Sequence, residues 1–433
     1  MFLIHIERRP SNLFPGPKTI MTPAPHSLLP ALSVALVAAG CCAPVAHAQW
    51  SFVSLHPAGV SSSIGSGGGA DQQVGWVNEG GVLRASLWMG APATRVDLHP
   101  SGAVESYAYA SSGPQQVGRA NVGGEFHAGV WTGSAESWVD LHPVGATDSV
   151  ASAVQAGQQV GSATVAGALR ASLWTGSAMS WVDLTPAGAT AAIAQGTDGV
   201  RQVGYARFGG APQAGMWNGT AASWVSLHPA GATFSVANAV ADSGGGGQQV
   251  GYAQIGGVQR AGMWNGTAAS WTSLHPAGSS QSTVYATNGA YQVGVAYFAG
   301  TSHASVWNGT AESWEDLSLT LPESWSATNA HGVWSDGVTL FIIGSGFNFE
   351  TNRVEALLWQ RPLVAPPTCD SIDFNNDSLF PDTQDVQDFL TVFAGGACAT
   401  GACGDIDFNN DGLFPDTADI ESLLTVFAGG ACS

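Results

Sequence analysis

Apolar and polar positions between residues 50 and 360 follow the loose alternation of short, half-buried strands. Runs such as "QQVGYAQI", "VQRAGMW" and "SWVSL" are separated by Gly-Gly, Asn-Gly and His-Pro-Ala-Gly turns. A fourth run in each unit, for example "FSVANAVA", consists mostly of small residues. No window in this region keeps helical spacing. The pattern therefore predicts an all-β fold built from units of four short strands.

Tryptophan marks the period of these units. It recurs every 43 residues, with one step of 47 and a last step of 52, at Trp88, Trp131, Trp174, Trp217, Trp264, Trp307 and Trp359. A glycine in the motif "QVG" lies 13 residues before each of the first six tryptophans. Four strands in about 43 residues is the length of one β-propeller blade.

A segment related to "WVxLHP" also occurs seven times, but in a different phase. Its leucines are Leu55, Leu98, Leu141, Leu184, Leu227, Leu274 and Leu317. The first copy has no "QVG" unit before it, and the unit that ends at Trp359 has no "LHP" after it. This offset predicts a seven-bladed propeller over residues 49–360, in which the N-terminal strand completes the last blade and removes the exposed edges. An open β-solenoid or a two-barrel arrangement is the alternative, but it leaves the offset unexplained.

The repeated residues have predicted places in such a ring. The tryptophans and the "VxL" residues should fill the space between blades, and the Ala/Ser/Gly run should form the innermost strand, where the ring is narrowest. Five histidines recur at one equivalent site per unit, at His56, His99, His142, His228 and His275. Equivalent sites on different blades lie too far apart to share a metal ion, so we expect these histidines to be turn residues.

Residues 1–48 are predicted to be a signal peptide. Basic residues, the last of them Lys18, precede an apolar run, and the small-residue pattern "AHA" ends at Ala48. The alternative is a lipoprotein signal in which Cys41 is lipidated. The apolar run is shorter than the roughly 20 residues of a membrane span, so no transmembrane helix is predicted. The protein is therefore expected to be exported and to be extracellular or associated with the cell surface.

Charge and motif content narrow the function. A net charge of -19 argues against nucleic acid or an anionic membrane surface as a partner. No lysine follows Lys18, which excludes lysine-based covalent catalysis after the leader. The charged residues that differ between units form no recognisable catalytic motif, which leaves catalysis open but favours a non-catalytic role.

A proline-rich linker, residues 361–368, leads to a tail at 369–433 that consists of two copies with a period of 34 residues. Each copy contains "DFNND", which spaces oxygen ligands as in the first half of an EF-hand calcium loop. The last ligand is predicted to be Asp385 or Asp419, with Asp382 and Asp416 contributing directly or through water. The full set of predicted Ca²⁺ ligands is Asp373, Asn375, Asp377, Asp382 and Asp385 in copy one, and Asp407, Asn409, Asp411, Asp416 and Asp419 in copy two.

A helix and a pair of cysteines complete each copy. Apolar residues at helical spacing follow each loop, at Val386, Phe389, Leu390 and Phe393 and at Ile420, Leu423, Leu424 and Phe427. An even number of cysteines in one small segment of an exported chain predicts disulfides among Cys369, Cys398, Cys403 and Cys432. Four cysteines allow three pairings, and the symmetry of the copies favours Cys369–Cys398 and Cys403–Cys432.

Two resemblances follow from these motifs. The succession of "VG", "A", "W" and "L" over residues 50–360 resembles the HAF family of bacterial extracellular repeats, which implies a secreted protein and specifies architecture better than activity. The tail resembles dockerin domains, and more closely the cysteine-bracketed dockerin-type C-terminal anchor of some bacterial exported proteins. That resemblance implies calcium-dependent folding and attachment to a cohesin-like partner or the cell surface. A one-residue insertion in each loop departs from the dockerin pattern and bears on cohesin recognition.

These observations predict a secreted, non-catalytic binding or display protein that is anchored through a calcium-binding tail. The ligand of the propeller would be a glycan or a protein. The alternative is a propeller carbohydrate-active enzyme, either a polysaccharide hydrolase or a lyase.

Overall fold

The computed structural model describes residues 50–69, 71–242, 247–363, 369–377, 382–401, 403–409 and 416–428. The predicted signal peptide, residues 1–48, lies outside these ranges. None of the described helices is long and apolar enough to cross a membrane.

The described part of residues 50–363 forms seven antiparallel four-stranded sheets, numbered here as blades 1 to 7 in chain order of their innermost strands. The innermost strands are β2 (Ser62–Gly69), β6 (Ser106–Ser112), β10 (Ala146–Gln155), β14 (Ala191–Thr197), β18 (Ala232–Ala241), β22 (Gln281–Thr287) and β26 (Trp325–Ser335). The second strands are β3 (Gln72–Glu79), β7 (Gln115–Val122), β11 (Gln158–Val165), β15 (Gln202–Arg207), β19 (Gln248–Ile255), β23 (Gln292–Phe298) and β27 (Thr339–Asn348).

The outer half of each blade is shorter. The third strands are β4 (Val82–Trp88), β8 (Glu125–Trp131), β12 (Ala168–Trp174), β16 (Pro212–Trp217), β20 (Val258–Trp264), β24 (Thr301–Trp307) and β28 (Arg353–Pro362). The outermost strands are β5 (Val96–Asp97), β9 (Val139–Asp140), β13 (Val182–Asp183), β17 (Val225–Ser226), β21 (Thr272–Ser273), β25 (Glu315–Asp316) and β1 (Ser51–Ser54). Short 3-10 turns lie at Pro92–Thr94, Ala135–Ser137, Ala178–Ser180, Ala221–Ser223, Ala268–Ser270 and Leu317–Thr320.

The ring is closed by its first strand, as predicted. Strand β1 pairs antiparallel with β28, with Phe52 opposite Trp359. The Leu55 N–H continues this ladder by donating to the Ala356 carbonyl oxygen at 2.9 Å. Each innermost strand also contacts the innermost strands of both neighbouring blades, all the way around. The arrangement is therefore a closed seven-bladed propeller and neither an open solenoid nor a pair of barrels.

The space between blades is filled by the repeated apolar residues. Trp131 of blade 2 is completely buried against Val74, Leu87 and Leu98 of blade 1. All seven period-marking tryptophans are at most 1% exposed. Burying one such side chain removes on the order of 150–250 Å² from water, worth about 4–6 kcal/mol at 25 cal/mol/Å². The predicted role of the Trp and Leu markers as interblade packing is confirmed. The prediction is wrong for valines of the "VxL" motif such as Val139, Val182 and Val225, which are 44%, 37% and 41% exposed.

The recurring histidines bond within their own loops and to an adjacent serine. His142 Nδ1 lies 2.8 Å from Ser149 Oγ, and its Nε2 lies 3.0 Å from the Ala146 carbonyl oxygen. Ser149 Oγ in turn accepts the Ala128 N–H of the preceding blade at 2.8 Å. His56, His99, His228 and His275 make the same contact with a serine seven residues later. The histidines therefore tie neighbouring blades together.

In the tail, α1 (Thr383–Phe393) and α2 (Thr417–Phe427) are the two predicted helices. Gly395, with φ +83°, lies just past the C-terminus of α1, while Gly429 lies outside the described residues. A core shared by both copies contains Ile372, Phe374, Phe389, Phe408 and Leu423.

Equivalent residues of the two copies also exchange backbone hydrogen bonds. The Asp370 N–H donates to the Phe408 carbonyl oxygen at 2.9 Å, and the Gly404 N–H donates to the Phe374 carbonyl oxygen at 2.8 Å. Leu390 and Leu424, expected in the apolar stripes, are instead 43% and 47% exposed. The reason is that each helix turns inward the face that carries Asp385 or Asp419 together with Phe389 or Leu423.

The disulfide prediction requires a correction. Cys398 is bonded to Cys403, with 5.7 Å between the Cα atoms, inside the range that the bond requires. The predicted pairs Cys369–Cys398 and Cys403–Cys432 are therefore wrong. Cys369 is also disulfide-bonded, and Cys432 lies outside the described residues. The bond links the end of copy one to the start of copy two, and in the chain-entropy model its short loop contributes about 2 kcal/mol, against about 3.5 kcal/mol for a 29-residue loop.

Candidate functional site

The axis of the propeller is lined by one polar residue from each blade, and the type of this residue varies between blades. Every innermost strand carries a β-bulge at the same point, for example between the paired residues Gly65 and Gly67 of β2. The extra residues at these bulges are Ser66, Tyr109, Ser152, Gln195, Asn238, Tyr285 and His331, named here the bulge ring. All seven line the axial cavity. A bulge re-aims a side chain, so one repeated backbone feature directs seven polar side chains of five types toward the axis.

The glycine of "QVG" is the sequence mark of this bulge. A Cβ on Gly75 would clash with the carbonyl oxygen of Ile64, which the bulged strand pushes against its partner strand. The same clash with an innermost-strand carbonyl would occur at Gly118, Gly161, Gly204, Gly251, Gly294 and Gly344. Glycine is therefore required opposite every bulge.

The residue after each bulge residue is glycine or alanine, because neighbouring innermost strands approach closely there. A Cβ on Gly67 would lie 2.5 Å from the Tyr109 carbonyl oxygen, and one on Gly196 would lie 2.8 Å from Ala239 Cα. These contacts explain why the innermost strands are rich in small residues, as predicted.

The axial space comprises two cavities that share the bulge ring. One, of about 260 Å³, continues along the innermost strands past Gly68, Ser111 and Thr197. The other, of about 470 Å³, is bounded by the ring and Val150. No Asp, Glu, Lys or Arg occurs among the described residues that line either cavity.

Two members of the bulge ring hold the neighbouring blade. The Asn238 side-chain amide donates to the Val284 carbonyl oxygen at 2.7 Å, and His331 Nδ1–H donates to the Gly65 carbonyl oxygen at 2.8 Å. Each acceptor is the residue before the next blade's bulge, so these side chains bind a carbonyl at the point where that blade's ladder is interrupted. Ser66, Ser152, Gln195 and Tyr285 have no hydrogen-bond partner within the part of the chain that the structure describes.

The ring is uncharged at neutral pH. Burial lowers the pKa of His331, although its hydrogen bond to Gly65 opposes the change, so the imidazole is neutral and Nε2 keeps a lone pair. Burial raises the pKa of Tyr285 to about 12, with smaller contributions from Tyr297 and Tyr252.

In the first tail loop, the structure brings three predicted Ca²⁺ ligands together. Asp373 and Asn375 both accept the Asp377 N–H through side-chain oxygens, at 3.0 and 3.1 Å. Asp385 is 0% exposed and accepts the N–H groups of Asn375 and Asp382 at 3.3 and 3.1 Å. The Asp382 carboxylate caps the N-terminus of α1, and Asp377 is exposed.

The second loop repeats this geometry. Asp419 is 0% exposed and accepts the N–H groups of Asn409 and Asp416 at 3.4 and 3.1 Å. Burial raises the pKa of Asp419, the two backbone donors oppose the rise, and the nearby carboxylates of Asp407 and Asp416 add to it. Asp416 caps α2, and Asp411 lies outside the described residues.

One buried acid of α1 beside the first loop, Asp388, is not among the ligands predicted from the sequence. Asp388 is 6% exposed, and its Oδ2 accepts the side-chain N–H of Asn375 at 3.0 Å. This bond turns the Asn375 oxygen away from Asp388 and toward the Asp377 N–H. The position is Ser422 in copy two, which is 1% exposed. The signal available in the sequence was a polar residue three positions after the last predicted ligand in both copies, on the same helical face as that ligand.

A further group of potential metal ligands lies on blades 2 and 3. Ligand atoms of Glu125, His127 and His142 lie within 4.8 Å of one another, and this is the one such group of three among the described His, Cys, Asp and Glu residues. Both ring nitrogens of His142 are already hydrogen-bonded, and His127 Nδ1 lies 2.7 Å from Asp140. The group therefore lacks three free ligand atoms, and the described tail acids do not form such a group by themselves.

No family model matches the chain, and no curated protein has a matching sequence, so neither family resemblance is shown. Similar solved structures are a puromycin hydrolase (12% identity, TM-score 0.43, 68% of this chain and 53% of that one) and a prolyl oligopeptidase B from Galerina marginata (9% identity, TM-score 0.43, 72% and 50%). TolB from Acinetobacter baumannii is also similar (12% identity, TM-score 0.36, 55% and 60%). The match spans about half the length of the two hydrolytic enzymes. These likenesses carry no argument about activity, and the propeller fold follows from the strand pairing itself.

Proposed function

We propose that this chain is an exported binding protein, in which the propeller presents a ligand-binding face and the tail binds Ca²⁺ and attaches the protein to a cell-envelope partner. The observation that carries this proposal is the completely buried carboxylate at the head of each tail helix, Asp385 and Asp419. An ionised carboxylate without a cationic partner is costly to bury. The tail offers it backbone N–H groups and further acids, and a bound cation would supply the missing charge.

The donor set fits Ca²⁺. Carboxylate and amide oxygens are hard ligands, and Ca²⁺ takes six to eight of them in a flexible geometry. Asp373, Asn375 and Asp385 would hold the ion in copy one, and Asp407, Asn409 and Asp419 in copy two. Asp377, Asp382, Asp411 and Asp416 would complete the sites directly or through water. Bound Ca²⁺ would neutralise the buried carboxylates and hold each loop against its helix.

Attachment through the tail is supported by its outer surface. Leu390 and Leu424 occupy equivalent positions on the two helices, and both are nearly half exposed. A partner protein that covered both leucines would remove apolar surface from water, which would stabilise the complex. The partner would be a cohesin-like or other cell-envelope protein.

Binding is favoured over catalysis by the lining of the axial cavities. Hydrolysis of a glycosidic bond uses a pair of carboxylates about 5–10 Å apart. The described residues around both cavities offer amides, hydroxyls and a neutral imidazole instead. These groups recognise a ligand but do not provide that acid and base pair.

Calorimetric titration of the full chain with Ca²⁺ tests the proposal. We expect two sites, of which Asp385→Asn removes one and Asp419→Asn the other. Glu421→Gln is the matched control, because Glu421 is an exposed acid on the same helix as Asp419. The absence of heat on Ca²⁺ addition, together with unchanged proteolysis of the tail, would refute the calcium-dependent part. Release of products from polysaccharides by the full chain would refute the non-catalytic part.

A further inference from the structure

We propose that the bulge ring is the ligand site of the propeller and that it binds a neutral sugar residue of a glycan. This inference deepens the proposed binding role and rests on it. The ring is a built feature of the backbone, since seven bulges at equivalent positions direct seven side chains to one axis.

Comparison of the blades with one another singles out the ring. The residues on either side of each bulge residue are only glycine, alanine or valine, and the glycine opposite the bulge recurs in all seven blades. The bulge residue itself is serine, tyrosine, glutamine, asparagine or histidine. Packing thus keeps the surroundings uniform, whereas the side chain that faces the cavity is free to vary. Side chains that differ between repeats and face a shared cavity can determine specificity, while the packing around them stays constant.

The hydrogen-bonding groups of the ring are available to a ligand. Gln195, Ser66 and Ser152 have no protein partner among the described residues, and the Nε2 lone pair of His331 is not used by its bond to Gly65. The Gln195 amide offers a donor and an acceptor side by side, which suits a pair of adjacent sugar hydroxyls. A ligand that satisfied these groups would replace water with fixed partners at little cost in polar desolvation.

Aromatic rings complete the arrangement. Tyr109 and Tyr285 lie on blades 2 and 6, three blades apart, the greatest separation in a ring of seven. Gln195, on blade 4, lies midway between them on the longer arc. Tyr285 is 36% exposed although it lies in the cavity wall. Tyrosine combines a flat apolar face with a polar hydroxyl, so the two rings can contact the C–H faces of a sugar while the amide contacts its hydroxyls.

The charge and size of the site narrow the ligand class. The described lining residues carry no formal charge, so a charged ligand would lose hydration without an ionic partner in the cavity wall. The Arg119 guanidinium lies 6.0 Å from the Tyr109 ring centroid, but Arg119 does not line either cavity. The larger cavity, about 470 Å³, falls within the ~300–1,000 Å³ that is usual for small-molecule sites. A neutral, hydroxyl-rich ring of sugar size meets both conditions.

Saturation-transfer NMR on the full chain tests the inference. The neutral probes are glucose, xylose and cellobiose, with glucuronic acid and glucosamine as charged counterparts and triglycine as a peptide probe. We expect at least one neutral probe to bind, and Gln195→Ala to weaken its affinity at least about fivefold, as for the loss of one or two hydrogen bonds. Gln213→Ala is the matched control, because Gln213 is on the third strand of the same blade and does not line the cavities.

The outcomes separate the inference from the proposed function. Binding of a neutral sugar that is equally tight in Gln195→Ala and Tyr285→Ala would overturn the bulge ring as the site while leaving a glycan-binding propeller intact. Binding of only triglycine or only a charged sugar would overturn the ligand class. If the chain bound the sugar but no Ca²⁺, the proposed Ca²⁺ sites of the tail would be refuted and the bulge ring would stand as the sugar site.

Discussion

The seal between β1 and β28 can be measured by comparing two leucines at equivalent positions. Leu55 lies between blades 7 and 1, and Leu141 lies between blades 2 and 3. Both are 0% exposed, and their N–H groups donate to the adjacent third strand at 2.9 and 2.8 Å. The main difference is that Leu55 directly follows β1, the strand from the start of the chain, whereas Leu141 follows an outermost strand that is continuous with its own blade.

Replacing a buried leucine by alanine removes its transfer free energy and leaves a cavity, which together cost about 2–5 kcal/mol. An entropy of unfolding of about 2.1 cal/mol/K per residue over roughly 310 residues converts this to a fall in melting temperature of about 3–8 °C. We expect the melting temperatures of Leu55→Ala and Leu141→Ala to fall by similar amounts, because both leucines are completely buried between two blades.

Urea and thermal unfolding followed by tryptophan fluorescence provide the assay, because buried tryptophans lie at both interfaces. Leu319→Ala, at an 82% exposed position, is the control and should leave stability unchanged. The reasoning fails if Leu141→Ala destabilises as expected while Leu55→Ala has almost no effect. That result would mean that β1 contributes little to the folded ring.

Two further predictions concern single side chains. Ser149→Ala should destabilise the propeller by about 1–3 kcal/mol in urea unfolding, because the buried Ala128 N–H loses its acceptor. Ser149→Thr should recover most of this stability, because Thr328 accepts the Ala304 N–H in the same way at 2.8 Å. A Ser149→Ala variant as stable as the parent would contradict the importance of this hydrogen bond. In an ultraviolet titration of the folded protein, Tyr285→Phe should lack one phenol that ionises near pH 12 in the parent. Since the folded pKa of Tyr285 lies above the ordinary value of 10, its contribution to stability is complete below pH 10 and is lost as the pH rises toward 12. A phenol that titrates near pH 10 in the folded protein would contradict this.

The seven-bladed ring could be predicted from the sequence because its Trp and Leu markers recur seven times. The phase offset between Leu55 and Trp359 determined which strand closes the last blade. Buried tryptophan and the small residues of the innermost strands followed from the same repetition. These features depend on local pattern and period alone.

The bulge ring could not be predicted in the same way. A bulge adds one residue to a strand of small side chains, and this disturbs an alternation that is already weak. Two signals were nonetheless present: the glycine that each bulge requires, such as Gly75, and a larger polar residue such as Gln195 or Tyr285 among small ones.

The disulfide pairing could not be predicted from the sequence for another reason. Two similar copies permit bonds within a copy or between copies equally well, and only the turn that follows α1 brings Cys398 beside Cys403. Internal symmetry therefore predicts that the copies will fold alike, but it does not predict how they are joined.

The pairing of Ser51 with Gln360 spans 309 residues of chain. During synthesis the first strand emerges long before its partner exists, and six blades can form while it waits. Loop-closure entropy makes so distant a pairing one of the slowest steps of folding. Until it occurs, the seventh blade presents an open edge that could capture another chain, so the interval before closure is the period when this protein is most exposed to misassembly.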